Sequence, residues 1–177
     1  MLNDTRTGYG SISILLHWAA AAAIIYLWVL GKTMEHDQIA RATHIAMGSG
    51  LAILLLARVL WRAFSVNPKP LGASTMQNVV AGLVKVLLLL DIVLVVASGF
   101  LSVWLRGRAI DVFGLLTLPS PLTDDRSLAH TVSGLHEFGA NAFLFLVGLH
   151  VLGALKHLVW DRDGTLKRML WPRRIEA

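Results

Sequence analysis

Four stretches of this chain are apolar and long enough to cross a lipid bilayer, and that property limits its fold more than any other in the sequence. Residues 11–30 read SISILLHWAAAAAIIYLWVL, and comparable runs cover 42–61, 79–104 and 128–160. A hydrocarbon core about 30 Å thick takes roughly 20 helical residues to span. Inside it every backbone N–H and C=O must find a partner within the protein, which a helix provides locally. Composition agrees: 55% of the 177 residues are hydrophobic and 15% charged, where soluble domains carry roughly a quarter charged. The expected fold is all-α, an integral membrane four-helix bundle forming one domain over residues 1–177. The fourth run is long enough to project beyond the lipid at one end.

The connections fix the orientation. The second and third runs are joined by SVNPKPLGAS, a Pro-rich turn that cannot continue a helix. The longest connection, RGRAIDVFGLLTLPSPLTDDR, joins the third and fourth. Arg6, Arg58, Arg62, Lys69 and the basic residues from Lys156 to Arg174 flank one end of the runs. The other end holds Lys32, Arg41, Arg106, Arg108 and Arg126, diluted by Glu35, Asp37, Asp111, Asp124 and Asp125. The positive-inside rule then predicts that both termini are cytoplasmic. The formal charge of +5 follows from this topology, and no nucleic-acid partner is expected. The first run is too long for a cleavable signal peptide and lacks a small-residue cleavage site. Without cysteine, disulfides, iron–sulfur clusters and thiolate-bound metals are excluded.

Histidines within a membrane are costly, and here several lie inside the runs. His136 and His150 are fourteen residues apart on the fourth run. That places them about 40° apart around a helix and about 21 Å apart along it. One face therefore presents two imidazoles at two depths. His17 matches the depth of His150, and His44 that of His136. Facing imidazoles at one depth in a cysteine-free bundle suit haem, whose iron takes two axial nitrogens. Zinc would need further ligands, and none is available at either depth. Two b haems per chain are expected, held by His17 with His150 and by His44 with His136. Gly48, Gly50, Gly134, Gly139 and Gly148 offer room for such a group, or for close helix packing. His157 lies about 20° off the same face, past the inner site. Two readings stay open for it: a helix-end residue, or a donor to a quinone carbonyl. His36, between Glu35 and Asp37, reads as solvent-exposed, and His130, about 120° away from the His136 face, as structural.

The segments ILLHW, THIAMGSGLAILLLARVLWR, FGLLTLP and GLHEFGANAFLFLVGLHVLGALKHLVWDRDGTLKRML, in this order and spacing, resemble the bacterial cytochrome b561 family over nearly the whole chain. The resemblance implies a multi-pass protein of the bacterial inner membrane with haem ligands at His17, His44, His136 and His150. It implies a quinone-contacting histidine at His157 and a superoxide:ubiquinone oxidoreductase activity. The third run departs from the family, which often carries histidines where this chain reads AGLVKVLLLLD. Lys85 there either snorkels to the interface or serves as a cation beside the quinone or an inner haem propionate. Asp91, deeper in the run, has no role that the sequence chooses.

Two functions of different class follow. In the first, electrons pass from a periplasmic donor, superoxide, to ubiquinone near His157 and Lys85. Arg106, Arg108 and Arg126 would attract the anion, although nearby aspartates offer a balanced, solvated loop as the alternative. In the second, the chain is a cytochrome b membrane anchor carrying electrons between a separate dehydrogenase or hydrogenase and the quinone pool. The short tails favour the first. Monomer and homodimer both remain open.

Overall fold

The computed structural model describes residues 1–34, 37–71 and 74–172. His36, Glu35, Arg173 and Arg174 lie outside the described residues. Four helices carry the apolar runs: α1 Ser11–Thr33, α2 Gln38–Phe64, α3 Thr75–Trp104 and α4 Arg126–Lys156. All four are long and apolar enough to cross a membrane. Two begin ahead of their apolar windows because an aspartate caps them. Asp37 accepts the N–H groups of Ile39 and Ala40, and Asp125 accepts that of Leu128. Caps of this kind are polar, so a hydropathy pattern starts the helix late.

The bundle is two helical hairpins, with α1 packed on α2 and α3 on α4. The α2 and α3 backbones also meet, whereas neither α1 nor α2 packs its backbone extensively on α4. Ala20, Ala23, Leu55, Ile92 and Phe143, contributed by all four helices, form the buried centre. Large apolar side chains such as Ile53 and Phe145 point outward, as a lipid-facing surface requires. The α3–α4 contact is tight at Gly139, where a Cβ would lie 3.0 Å from Val95 and 3.2 Å from the Asp91 carboxylate. Asp91 is buried there, and its Oδ2 has no hydrogen-bond partner among the described residues.

A small β-hairpin, β1 Ile110–Val112 paired antiparallel with β2 Leu116–Leu118, lies within the long connection. The all-α reading holds apart from this element, which it did not foresee. Phe113 and Gly114 both have positive φ, 54° and 70°, as the central residues of a tight turn closed by the Leu115 N–H donating to the Val112 carbonyl at 3.0 Å. Ile110 is fully buried, and Val112 packs against Gly50 of α2.

At the opposite end the N-terminal segment, the α2–α3 connection and the C-terminal segment meet. Asp4 accepts from the Gly10 N–H at 2.8 Å and the Ser13 hydroxyl at 2.7 Å, and pairs with Arg62 at 3.6 Å. The Trp61 indole donates to Ser13 at 2.8 Å. Trp18 donates to the Met169 carbonyl, and Arg168 to that of Lys69. A short helix, α5 Lys167–Leu170, completes this end.

Replacing Asp4 with alanine strips two buried partners and the half-buried Arg62 at once, so the expected loss of stability is about 2–4 kcal/mol. Denaturation in mild detergent measures it. Thr7→Ala, at an exposed site, should stay within about 0.5 kcal/mol of the parent.

Candidate functional site

Two pairs of imidazoles face each other inside the bundle. The ring centroids of His17 and His150 are 6.1 Å apart, and so are those of His44 and His136. Each pair joins a helix of the first hairpin to α4, across the seam where the backbones stay apart. Phe143, halfway along α4 between its two histidines, belongs to the buried layer that separates the pairs.

The spacing suits an iron between the rings. A metal–imidazole bond of about 2 Å, with the ring centre about 1.1 Å further, puts two axial centroids about 6 Å apart. His136 Nδ1 lies 2.9 Å from the Val95 carbonyl. A carbonyl only accepts, so Nδ1 carries the proton and Nε2 keeps its lone pair for a metal. Ser98, which donates to the Leu94 carbonyl at 2.6 Å, stands 3.2 Å from the same Nδ1. The ring rests on Gly99, where a Cβ would come within 3.2 Å of it. His44 rests on Gly31 in the same way, at 3.6 Å. Its buried Nδ1 makes no well-formed hydrogen bond among the described residues, although the Leu27 backbone is within electrostatic reach.

A cavity of about 580 Å³ surrounds the His44–His136 pair, within the range of small-molecule and cofactor sites. Gly31, Gly48 and Gly99 line its walls, Ile110 of the hairpin lies against it, and Lys32, Arg41, Arg106 and Arg108 line it as well. Lys32 donates to Asn141 at 3.1 Å and lies 5.6 Å from the Trp28 ring. Trp28, also in the lining, has a buried indole N–H without a partner among the described residues. Apolar walls, free donors and a cationic lining fit a flat apolar ring that carries carboxylates. The residues present therefore fit a haem at this pair. At the His17–His150 pair the fit rests on the same ring spacing and on Arg58. Its Nη1 is buried and unpartnered among the described residues, and both histidines are within its electrostatic range.

The other expected residues scatter more widely. Arg108 lines the cavity, whereas Arg126 is 89% exposed at the start of α4 and pairs with Asp124 at 3.6 Å. Lys85 is exposed on α3 within electrostatic range of His150. His130 is exposed. Gly134 and Gly148 face away from the sites, since each is two residues from a histidine and so about 160° around the helix from it. Gly139 packs helices, not a ligand. The glycines that do touch imidazoles, Gly31 and Gly99, have no sequence spacing to mark them, because each shelters a ring from another helix.

His157 follows α4 on a π-helical turn, His157–Asp161. Its Nδ1 lies 2.6 Å from Asp163 Oδ2 and 3.2 Å from Asp161 Oδ2. Burial works against the charge of Asp163, but hydrogen bonds from Thr165 and His157 outweigh it and hold the carboxyl below its usual range.

The chain matches the family model described as prokaryotic cytochrome b561 over residues 8–172. It is 34% identical over 175 residues to "Cytochrome b561 homolog 2" of Escherichia coli (strain K12), covering 94% of this chain and 93% of that protein. It is 29% identical to "Cytochrome b562" of Cereibacter sphaeroides, over 94% of this chain and 97% of that one. It is 27% identical to "Probable superoxide oxidase CybB" of Yersinia pestis, again over 94% and 97%. With four membrane-length helices and two facing imidazole pairs in its core, the chain belongs to the prokaryotic cytochrome b561 family of b-type, electron-carrying membrane cytochromes.

Proposed function

We propose that this protein moves electrons across the bacterial inner membrane, from superoxide on the periplasmic side to ubiquinone on the cytoplasmic side. The observation that carries the reading is the pair of imidazole couples, both at 6.1 Å, one toward each end of the bundle. His44 with His136, and His17 with His150, would each hold one b haem. Bound there, haem supplies a one-electron iron couple.

The protein's own residues do the rest. Val95 fixes the tautomer of His136, and Gly31 and Gly99 let the rings approach their helices. The apolar layer at Phe143 keeps water from the space between the pairs. Charge asymmetry supports placing both termini in the cytoplasm and the β-hairpin end in the periplasm. Lys32, Arg41, Arg106 and Arg108 then give the outer cavity a cationic lining. An anionic donor would feel that field before contact. The superoxide assignment is further supported by the likeness to the Yersinia pestis protein. Oxidation of superoxide releases one electron and O2 and needs no proton, so approach and access suffice. At the cytoplasmic end His157 would contact a quinone carbonyl, with Lys85 nearby as a cation.

His44→Ala or His136→Ala should leave one haem per chain, and His17→Ala or His150→Ala should leave the other. A pyridine haemochrome assay counts them, and a single variant that loses no haem contradicts the assignment. Arg108→Gln should slow superoxide-driven reduction several-fold at low salt, more than Arg126→Gln, with the difference fading as salt rises. A neutral reductant should distinguish neither variant from the parent. Equal superoxide rates for Arg108→Gln and parent at every ionic strength would remove Arg108 from the donor site.

A further inference from the structure

The chain builds a loop directly after α4 that returns a carboxylate to His157. The backbone widens into the π-helical turn His157–Asp161 and reverses at Arg162, which adopts φ 50° and ψ 35°. Asp163 thereby comes back to the ring. Its Oδ2 lies 2.6 Å from His157 Nδ1, while its Oδ1 accepts the Thr165 N–H at 2.9 Å. The neighbouring Asp161 is engaged elsewhere. Lys156 Nζ sits 2.7 Å from both of its oxygens, and Asp161 is the more distant partner of His157 at 3.2 Å. Two carboxylates thus face two basic side chains, and Asp163 is the one that belongs to His157.

A carboxylate oxygen only accepts, so the 2.6 Å contact places a proton on Nδ1. Nε2 is then the ring atom free to serve a substrate. The negative charge behind the ring also balances it when both nitrogens carry protons, as the buried carboxylate does for the histidine of a hydrolase triad. Reduction of a quinone takes two electrons and two protons, and each carbonyl becomes a hydroxyl. The electrons arrive one at a time through the bundle. Nε2 first takes a proton from water at this end, so that both ring nitrogens carry one. It then passes that proton to a carbonyl oxygen, returning the ring to its neutral Nδ1-protonated form. The second proton also comes from water.

We propose that Asp163 is a positioning residue for quinone reduction, fixing the His157 ring in the Nδ1-protonated form so that Nε2 exchanges the proton with the quinone. This rests on the assignment of His157 to quinone contact given above. It adds a residue outside the spans, and a reason for the loop that carries it.

The test is single-turnover reoxidation of the dithionite-reduced holoprotein by a short-chain ubiquinone, followed through haem absorption. Asp163→Asn should lower the rate at saturating quinone about 10-fold or more, as removal of an orienting partner typically does. The quinone concentration giving half the maximal rate should change less than two-fold, and haem content should not change. Asp163→Glu should recover part of the rate, and Asp161→Asn should stay within two-fold of the parent. In the His157→Ala background, Asp163→Asn should slow the reaction no further. Ring-nitrogen NMR of histidine-labelled protein should find a strongly hydrogen-bonded Nδ1–H at His157 that is lost in Asp163→Asn. A slow His157→Ala with Asp163→Asn at the parental rate would overturn the role of Asp163 alone. Equal slowing by Asp163→Asn with and without His157 would do the same. A His157→Ala protein at the parental rate would instead remove the underlying quinone contact.

Discussion

Imidazole is a poor residue to bury in hydrocarbon, and the bundle answers that cost by facing the rings at matched depths. A neutral ring has one donor and one acceptor nitrogen, and each needs an occupant. For His136 the donor side is settled by the Val95 carbonyl, which leaves the Nε2 lone pair available to a metal. The rest of the interior follows from this need. The seam between α4 and the first hairpin stays open where the rings lie, Gly31 and Gly99 give them room, and side chains from all four helices close the layer between the two pairs.

The two ends of the bundle differ in what they do with charge. At the hairpin end, cations line a cavity and several polar donors remain free among the described residues. At the terminal end, the carboxylates Asp4, Asp161 and Asp163 are each held by a basic side chain. Asp4 holds Arg62, Lys156 holds Asp161, and Asp163 holds His157. A cavity whose cations bond only to neutral groups among the described residues suits capture of an anion, whereas fixed pairs suit the placing of one proton donor. Arg58 stands outside these pairs, with a buried guanidinium nitrogen that has no partner among the described residues and lies within electrostatic range of His17 and His150.

Much of this was legible in the sequence because helical geometry is regular. The fourteen-residue spacing of His136 and His150 set their common face, and reading the runs in alternating directions matched each to His17 or His44. What lay beyond reach came from contacts between helices or from short irregular backbone. Ser98 was a polar residue in an apolar run, a signal that was available, yet its neighbour Gly99 matters through a ring on another helix. The hairpin at Ile110–Leu118 has strands of three residues, too short for an alternating pattern to register. Asp163 drew no reading from the sequence, because nothing in WDRDG announces the reversal at Arg162 that brings it to His157. Arg126 lies outside the cavity lining, exposed beside Asp124, a placement that loop position alone does not tell.

On the function proposed above, each imidazole couple would hold one iron through two ring nitrogens. Near-infrared magnetic circular dichroism of the oxidised protein in membranes reads axial ligands and their number directly. Two equivalents per chain of low-spin ferric haem with bis-imidazole ligation are expected. A single equivalent, or a charge-transfer band belonging to any other ligand pair, would contradict that assignment.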